Sequence, residues 1–326
     1  MSPGSKRTFH VSLTPRHMKP SKFVKRRLRI VGAVLLLPLL PPHCGLAKDK
    51  KKDPEEIGNR NVGRGINFYS FEREMILGRE LAKEVELQVR IFYDPAIGEY
   101  VNRLGQNLAR NSDVRLPFTI KVVDSEEVNA CAFPGGFLFV NAGLLLMTET
   151  EAELAGAMAH EIAHVAARHA TRQATRATIM DYAGLVLIFM GGEVGYAARA
   201  AAHLAAPIGL AKFSRMFESE ADLLGLQYVY KTGYDPTALV DFFERLESLE
   251  HRTPGTMARL VLAHPSTRSR CRAIQKTIRT TLRPRPEYVV NTSEFENMRA
   301  RLLAIYAQRH KIERDAYRPM LKARRN

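Results

Sequence analysis

Apolar positions change their period along this chain, and the changes mark its elements. From Phe71 to Val89, the residues Met75, Ile76, Leu81, Val85 and Val89 recur at helical spacing and predict an amphipathic helix with that side inward. Asp94 followed by Pro95 predicts a capped second helix over 96–109, burying Ile97, Tyr100, Val101, Leu104 and Leu108. Between Phe118 and Val123 the period falls to two, as in a strand. Asn129 to Phe133 and Phe137 to Val140 then flank Pro134-Gly135-Gly136, the pattern of a tight hairpin. From Thr148 to Ala170 the helical period returns, apolar on nearly every side, so this helix is expected to be buried. Thr148 and Glu151 have the spacing of a capping box at its start.

The remainder reads as helices separated by polar breaks. Tyr182 to Gly192 is apolar but short, either a core helix, a mobile lid or a membrane-contacting plug, and Glu193 to Pro207 is alanine-rich. Lys212 to Tyr230, Pro236 to Leu249 and Ser266 to Leu282 follow as helices. A short extended piece at Tyr288 precedes a basic helix from Ser293 to His310. No internal repeat interrupts this order. The expected fold class is α+β: mainly helical, with a small antiparallel or mixed sheet ahead of the 148–170 helix.

Charge adds a division into segments. The 326-residue chain has a formal charge of +15, but the excess lies at its ends. Residues 1–47 hold basic side chains from Lys6 to Arg29 and no acid; from Arg299 onward the basic residues face only Glu313 and Asp315. The stretch between is close to neutral and carries no nucleic-acid-binding motif, so nucleic acid is excluded as a partner. Lys19 to Arg29, the apolar run Ile30 to Leu40 and Gly45-Leu46-Ala47 together read as a signal peptide over 1–47, removed on export to the periplasm. Met18, directly before that run, is a second candidate start. Cys44 offers lipoprotein anchoring as the alternative, although Pro41-Pro42-His43 is a poor lipobox. Residues 48–70 read as a flexible linker and 284–326 as a short basic extension. Peripheral contact with anionic lipid through that basic tail is one expectation; a solvated helix is the plainer one. After export Cys131 and Cys271 remain, both in apolar settings that predict buried free thiols.

The chemistry concentrates in His160-Glu161-Ile162-Ala163-His164. Residues four apart stand above one another on a helix, so both imidazoles reach one cation. Glu161, ~100° round from His160, flanks that seam without joining it. Two neutral nitrogens and a nearby carboxylate are what a zinc hydrolase requires: ligands for Zn2+ and a base for water. The third ligand must come from elsewhere. Ala170 occupies the position of the third metzincin histidine, and His169 lies ~140° from His164, off the seam. Glu193 sits in a glycine-rich stretch. Glu218, on the 212–230 helix, is preferable. Asp222 follows it on the same face as an acceptor for a ligand imidazole, and Gly225 on that face allows close helix approach. Glu220 points away, as a solvated acid would.

These motifs resemble those of the BepA/HtpX/CAAX-prenyl-protease group, the forty-eighth metallopeptidase family, or minigluzincins. The resemblance rests on His160 to His164, Glu218-Ser219-Glu220-Ala221-Asp222, His264-Pro265 with Arg270, and Asn129-Ala130-Cys131-Ala132-Phe133-Pro134-Gly135-Gly136, and covers roughly residues 71 to 283. It implies a zinc metallopeptidase domain over 71–283 with one Zn2+ held by His160, His164 and Glu218. It makes Glu161 the catalytic base, with Asp222 and Arg270 supporting the ligands. His264 would cap the ion at rest or bond the oxyanion during turnover. The hairpin, with Asn129, Ala130, Gly135 and Gly136, would supply an edge strand for extended substrate. Unfolded or misassembled envelope proteins are the implied substrates. Long apolar spans like those of the membrane members are not expected in the exported chain, and the repeat-mediated docking of BepA-like proteins is not carried over by the resemblance. A chaperone that uses a metal-stabilised fold without cutting is the rival reading.

Overall fold

Helix α1 (Phe71–Gln88) begins where Ser70 accepts the Arg73 amide through its hydroxyl. Its inward side differs from the periodicity. Glu74, Gly78 and Ala82 are buried and Met75, Val85 and Val89 partly so, whereas Ile76 and Leu81 are exposed. The cause is the closeness of the hairpin: a Cβ on Gly78 would lie 1.6 Å from the Pro134 carbonyl oxygen, so only small residues fit that contact. Helix α2 (Pro95–Arg110) starts at Asp94, which caps the Ile97 amide, and buries all five residues expected of it.

The structure, a computed structural model, describes residues 50–189, 214–252, 264 and 268–323. The expectations for the signal peptide, Met18, Cys44, Glu193 and residues 190–192 fall outside them. Strands β1 (Thr119–Val123), β2 (Ala130–Phe133) and β3 (Phe137–Asn141) form a mixed sheet in the order β1-β3-β2. β1 runs parallel to β3, and β2 pairs with β3 through the predicted hairpin, Gly135 and Gly136 both having positive φ. Short α3 (Ala142–Met147) leads into α4 (Glu151–Ala166), which is buried from Glu151 to Ala163 and packs against α2, the sheet and α7 (Ala238–Arg252). Helix α5 (His169–Phe189) follows α4 after a break at Arg168. Helix α6 covers 214–232, α8 is Arg268–Thr281 and α9 is Ser293–Ala323. Among the described residues no helix is long and apolar enough to cross a membrane.

Both flanking segments are more firmly attached than their composition predicts. Residues 50–70, expected as a flexible linker, lie on the domain through buried Arg60. Its guanidinium donates to both oxygens of Asp113 at 2.8–3.1 Å, to the Lys51 carbonyl and to Gln227. The segment after 283 runs beside the start of α7, where Val289 exchanges backbone bonds with Gly233 and Asp235. It also meets the start of α4, where the Ala152 amide donates to Val290 and the Glu151 amide to Asn291. Helix α9 buries Phe295, Leu302 and Tyr306 against the domain. Arg301 and Arg309 pair with Asp94 and Asp124, so these two tail charges are already neutralised at the domain surface.

Candidate active site

Helix α4 is set in place at both ends. Thr150 accepts the Glu153 amide, and the Glu153 carboxylate accepts the Glu149 amide, so the capping pair lies two residues beyond the expected Thr148 and Glu151. Thr148 is consumed by α3, donating its hydroxyl to the Leu144 and Leu145 carbonyls. Glu151 is held by the hydroxyls of Tyr234 and Thr292. The helix ends earlier than Ala170: Ala167 closes it, and Arg168 adopts φ +56°, tied to Glu74, to the Tyr69 carbonyl and over the Phe71 ring.

Helices α4 and α6 meet at Gly225, where an added Cβ would stand 3.0 Å from the His160 Cα and nitrogen. This close approach brings Glu218 to the histidines, as the motif spacing predicts. The Nε2 atoms of His160 and His164 are 3.1 Å apart; Glu218 carboxylate oxygens lie 3.4 Å from the first and 3.5 Å from the second. His264 adds its Nδ1, 3.1 Å from Glu218 and 3.4 Å from His160 Nε2. The four donor atoms all fall within 4.8 Å of one another. A cation bonded at ~2.0–2.1 Å in a tetrahedron spaces its ligands ~3.3–3.4 Å apart, so these residues fit a bound ion.

Partners behind the donors fix their orientation. Asp222 stands 3.1 Å from His160 Nδ1 and receives Arg270 through two bonds of 2.8 and 2.7 Å. Arg270, buried beside Phe243, also reaches Glu218 at 3.2 Å and the His264 carbonyl at 3.3 Å. Burial alone would lower the His160 pKa, but bonds to Asp222 and Glu218 carry it up to about 9. Burial and the neighbouring His160 charge hold His164 well below the usual histidine value.

Glu161 stands on the strand side. Its Oε2 accepts the Ala132 amide at 3.1 Å, and its Oε1 lies 3.3 Å from His264 Nε2. The Asn141 amide donates to the Asn129 carbonyl, so by antiparallel alternation Ala130 and Ala132 turn their backbone groups away from β3, to the edge of β2 that pairs with no other strand among the described residues; Ala130 is buried there and Ala132 half-buried. Of the four residues expected to receive substrate, Ala130 is on that edge, whereas Asn129 uses its carbonyl within the sheet. Gly136 gives its carbonyl to Thr119, and Gly135 lies in the turn against Met75. Ala132 is the edge residue the sequence reading overlooked. Cys271 is buried as expected, but Cys131 is exposed: strand alternation puts it opposite buried Ala130, on the cleft. The cleft itself, about 220 Å³, is lined by Cys131, Phe133, Glu161, His164, Phe217 and His264 among others.

Two further side chains stand behind the donors: His169 stays out of the donor cluster, as expected, whereas Glu220 departs from its reading. The break at Arg168 turns His169 back under the site, its Nδ1 3.0 Å from His164 Nδ1. Glu220 is not solvated; it bonds His169 Nε2 at 3.2 Å, Arg172 at 3.2 Å and Lys51 at 2.7 Å. A left-handed arginine cannot be foreseen from periodicity, though a third histidine close to the motif was the available signal.

A helix bearing H-E-x-x-H, a glutamate from a second helix and an edge strand beside the base define a metallopeptidase site. Residues 95–278 match the model described as Peptidase family M48, and the chain belongs to that family, whose members are metal-dependent. It is 29% identical over 245 residues to the beta-barrel assembly-enhancing proteases of Escherichia coli (strain K12) and Yersinia pestis, covering 73% of this chain and 50% of each relative. The chain thus spans about half the length of those relatives. It is also 31% identical over 226 residues to the mitochondrial metalloendopeptidase OMA1 of Schizosaccharomyces pombe, covering 68% of this chain and 64% of that one.

Proposed function

We propose that this chain is a zinc-dependent endopeptidase of the cell envelope that cleaves misfolded or unassembled proteins. The observation that carries the reading is the convergence of His160, His164, Glu218 and His264 with Glu161 beside them. Nitrogen and carboxylate donors converging within 4.8 Å favour Zn2+ over the hard ions, which prefer all-oxygen shells. When bound, zinc polarises the scissile carbonyl and acidifies water at the site.

The chain's own residues supply the rest. Ala130 and Ala132 can hold an extended peptide by main-chain bonds, which select shape rather than sequence and so suit unfolded protein. Glu161 is placed to take a proton from water and return it to the leaving amine. It exchanges its bond to the Ala132 amide as the peptide takes that edge. His264 fills the fourth donor position, so it must swing away before water and substrate enter, and from there its imidazole can bond the oxyanion. Asp222 and Arg270 keep His160 and Glu218 aligned throughout.

Export to the periplasm agrees with the basic and apolar start of the chain. The names of the bacterial relatives favour unassembled β-barrel proteins as substrates. A non-cleaving chaperone is the weaker reading, because Glu161 has no purpose there beyond one hydrogen bond. Membrane contact through the tail is likewise weakened by the pairing of Arg301 and Arg309. Metal analysis of the purified chain with a casein digestion assay tests the proposal, wild type beside Glu161→Gln. One equivalent of zinc and casein fragments from the wild type alone are expected; equal digestion by both would refute it.

A further inference from the structure

We propose that His169 and Glu220 form a positioning relay for the ligand His164, orienting its imidazole and raising its affinity for the metal. The proposal rests on the metal-site reading above and adds two residues to it.

The two ligand histidines of α4 need different supports. His160 presents Nε2 to the site, and its Nδ1 faces the Asp222 carboxylate directly. His164 also presents Nε2, but the group behind its Nδ1 is another imidazole, His169 Nδ1 at 3.0 Å. A histidine bound through Nε2 carries its proton on Nδ1, so His164 must donate there and His169 must accept. Accepting at Nδ1 leaves the His169 proton on Nε2, where it meets the Glu220 oxygen at 3.2 Å. Each hydrogen bond therefore dictates the next, and the chain ends on a carboxylate, just as the Asp222 carboxylate stands 3.1 Å behind His160.

Glu220 is itself anchored from two sides. Arg172 of α5 reaches it at 3.2 Å, and Lys51 of the N-terminal segment at 2.7 Å. His169 is buried and its ring is stacked on Phe217, with centroids 4.4 Å apart, so it has little freedom to leave. One helix thus contributes the ligand Glu218 and both terminal carboxylates, Glu220 and Asp222. The left-handed Arg168 is what makes the relay reachable, since an unbroken helix would carry His169 round to another face.

Competition titration of metal-free protein with a chelating zinc indicator is the test, read independently of proteolysis. His169→Leu should weaken zinc binding about 10- to 100-fold, the usual loss when a ligand imidazole loses its support. His169→Gln, whose amide oxygen can accept from His164, should recover most of that loss. Glu220→Gln, which keeps the shape of the side chain, should weaken binding several-fold. Circular dichroism of the metal-free forms should be the same for all. Wild-type affinity in both His169→Leu and Glu220→Gln would overturn the relay, as would a Gln variant at 169 no tighter than Leu, which would mark the residue as packing alone. A wild-type chain that takes up no zinc would overturn the metal centre itself, and the relay with it.

Discussion

Gly225→Ala tests the contact on which the metal centre depends. The added methyl would lie 3.0 Å from the His160 Cα and nitrogen and 3.2 Å from the Ala159 carbonyl carbon. Comfortable carbon contacts begin near ~3.5 Å, so the methyl intrudes by roughly 0.5 Å. What it meets is backbone of α4, which cannot rotate aside as a long side chain would. The two helices must then separate by most of that intrusion. Metal bonds tolerate about 0.2 Å, so the same displacement that relieves the clash draws Glu218 out of reach of an ion held by His160 and His164. Overpacking of this kind costs about 1–3 kcal/mol. Urea denaturation of the metal-free variant should show that loss, and zinc affinity should fall at least tenfold beyond it. A variant that unfolds at the wild-type urea midpoint and binds zinc equally well would refute the argument that close helix contact builds the site.

Glu161→Gln should keep its zinc and lose roughly 10³-fold in casein turnover, the scale of removing a central catalytic group; atomic absorption beside the digestion assay checks both halves. Arg270→Met should lower stability by about 3–5 kcal/mol, because it leaves Asp222 and Glu218 buried without their cation; chemical denaturation measures it. Burial raises the Asp222 pKa, but bonds from Arg270 and His160 outweigh it and hold the carboxyl below its ordinary 3.8. Its contribution to stability is therefore present above pH 3.8 and fades as the pH falls through the lower folded value. Acid unfolding of chelated protein should be less steep there in Asp222→Asn, and identical slopes would contradict the assignment.

Much of this protein is local and therefore legible in sequence. The inward face of α2 and the hairpin at Pro134-Gly135-Gly136 follow from period and turn chemistry over a few residues. The histidine pair follows from the 3.6-residue helix, and Glu218 with Asp222 from the same rule on a second helix. Gly225 even announced that those helices touch. What the chain did not declare depends on partners distant in sequence. The α1 helix left Ile76 and Leu81 of its expected inward side exposed while Val85 and Val89 pack inward, because the hairpin stands so close that only Gly78 fits beneath Pro134. Arg60 drew a polar leader onto the domain because Asp113 was waiting in the core. His169, off the metal as expected, and Glu220, expected in solvent, meet behind His164 only because one arginine takes a left-handed turn stabilised by Glu74, 94 residues earlier. Periodicity fixes which way a side chain points from its own helix axis; where that axis lies, and what stands opposite, is decided by packing.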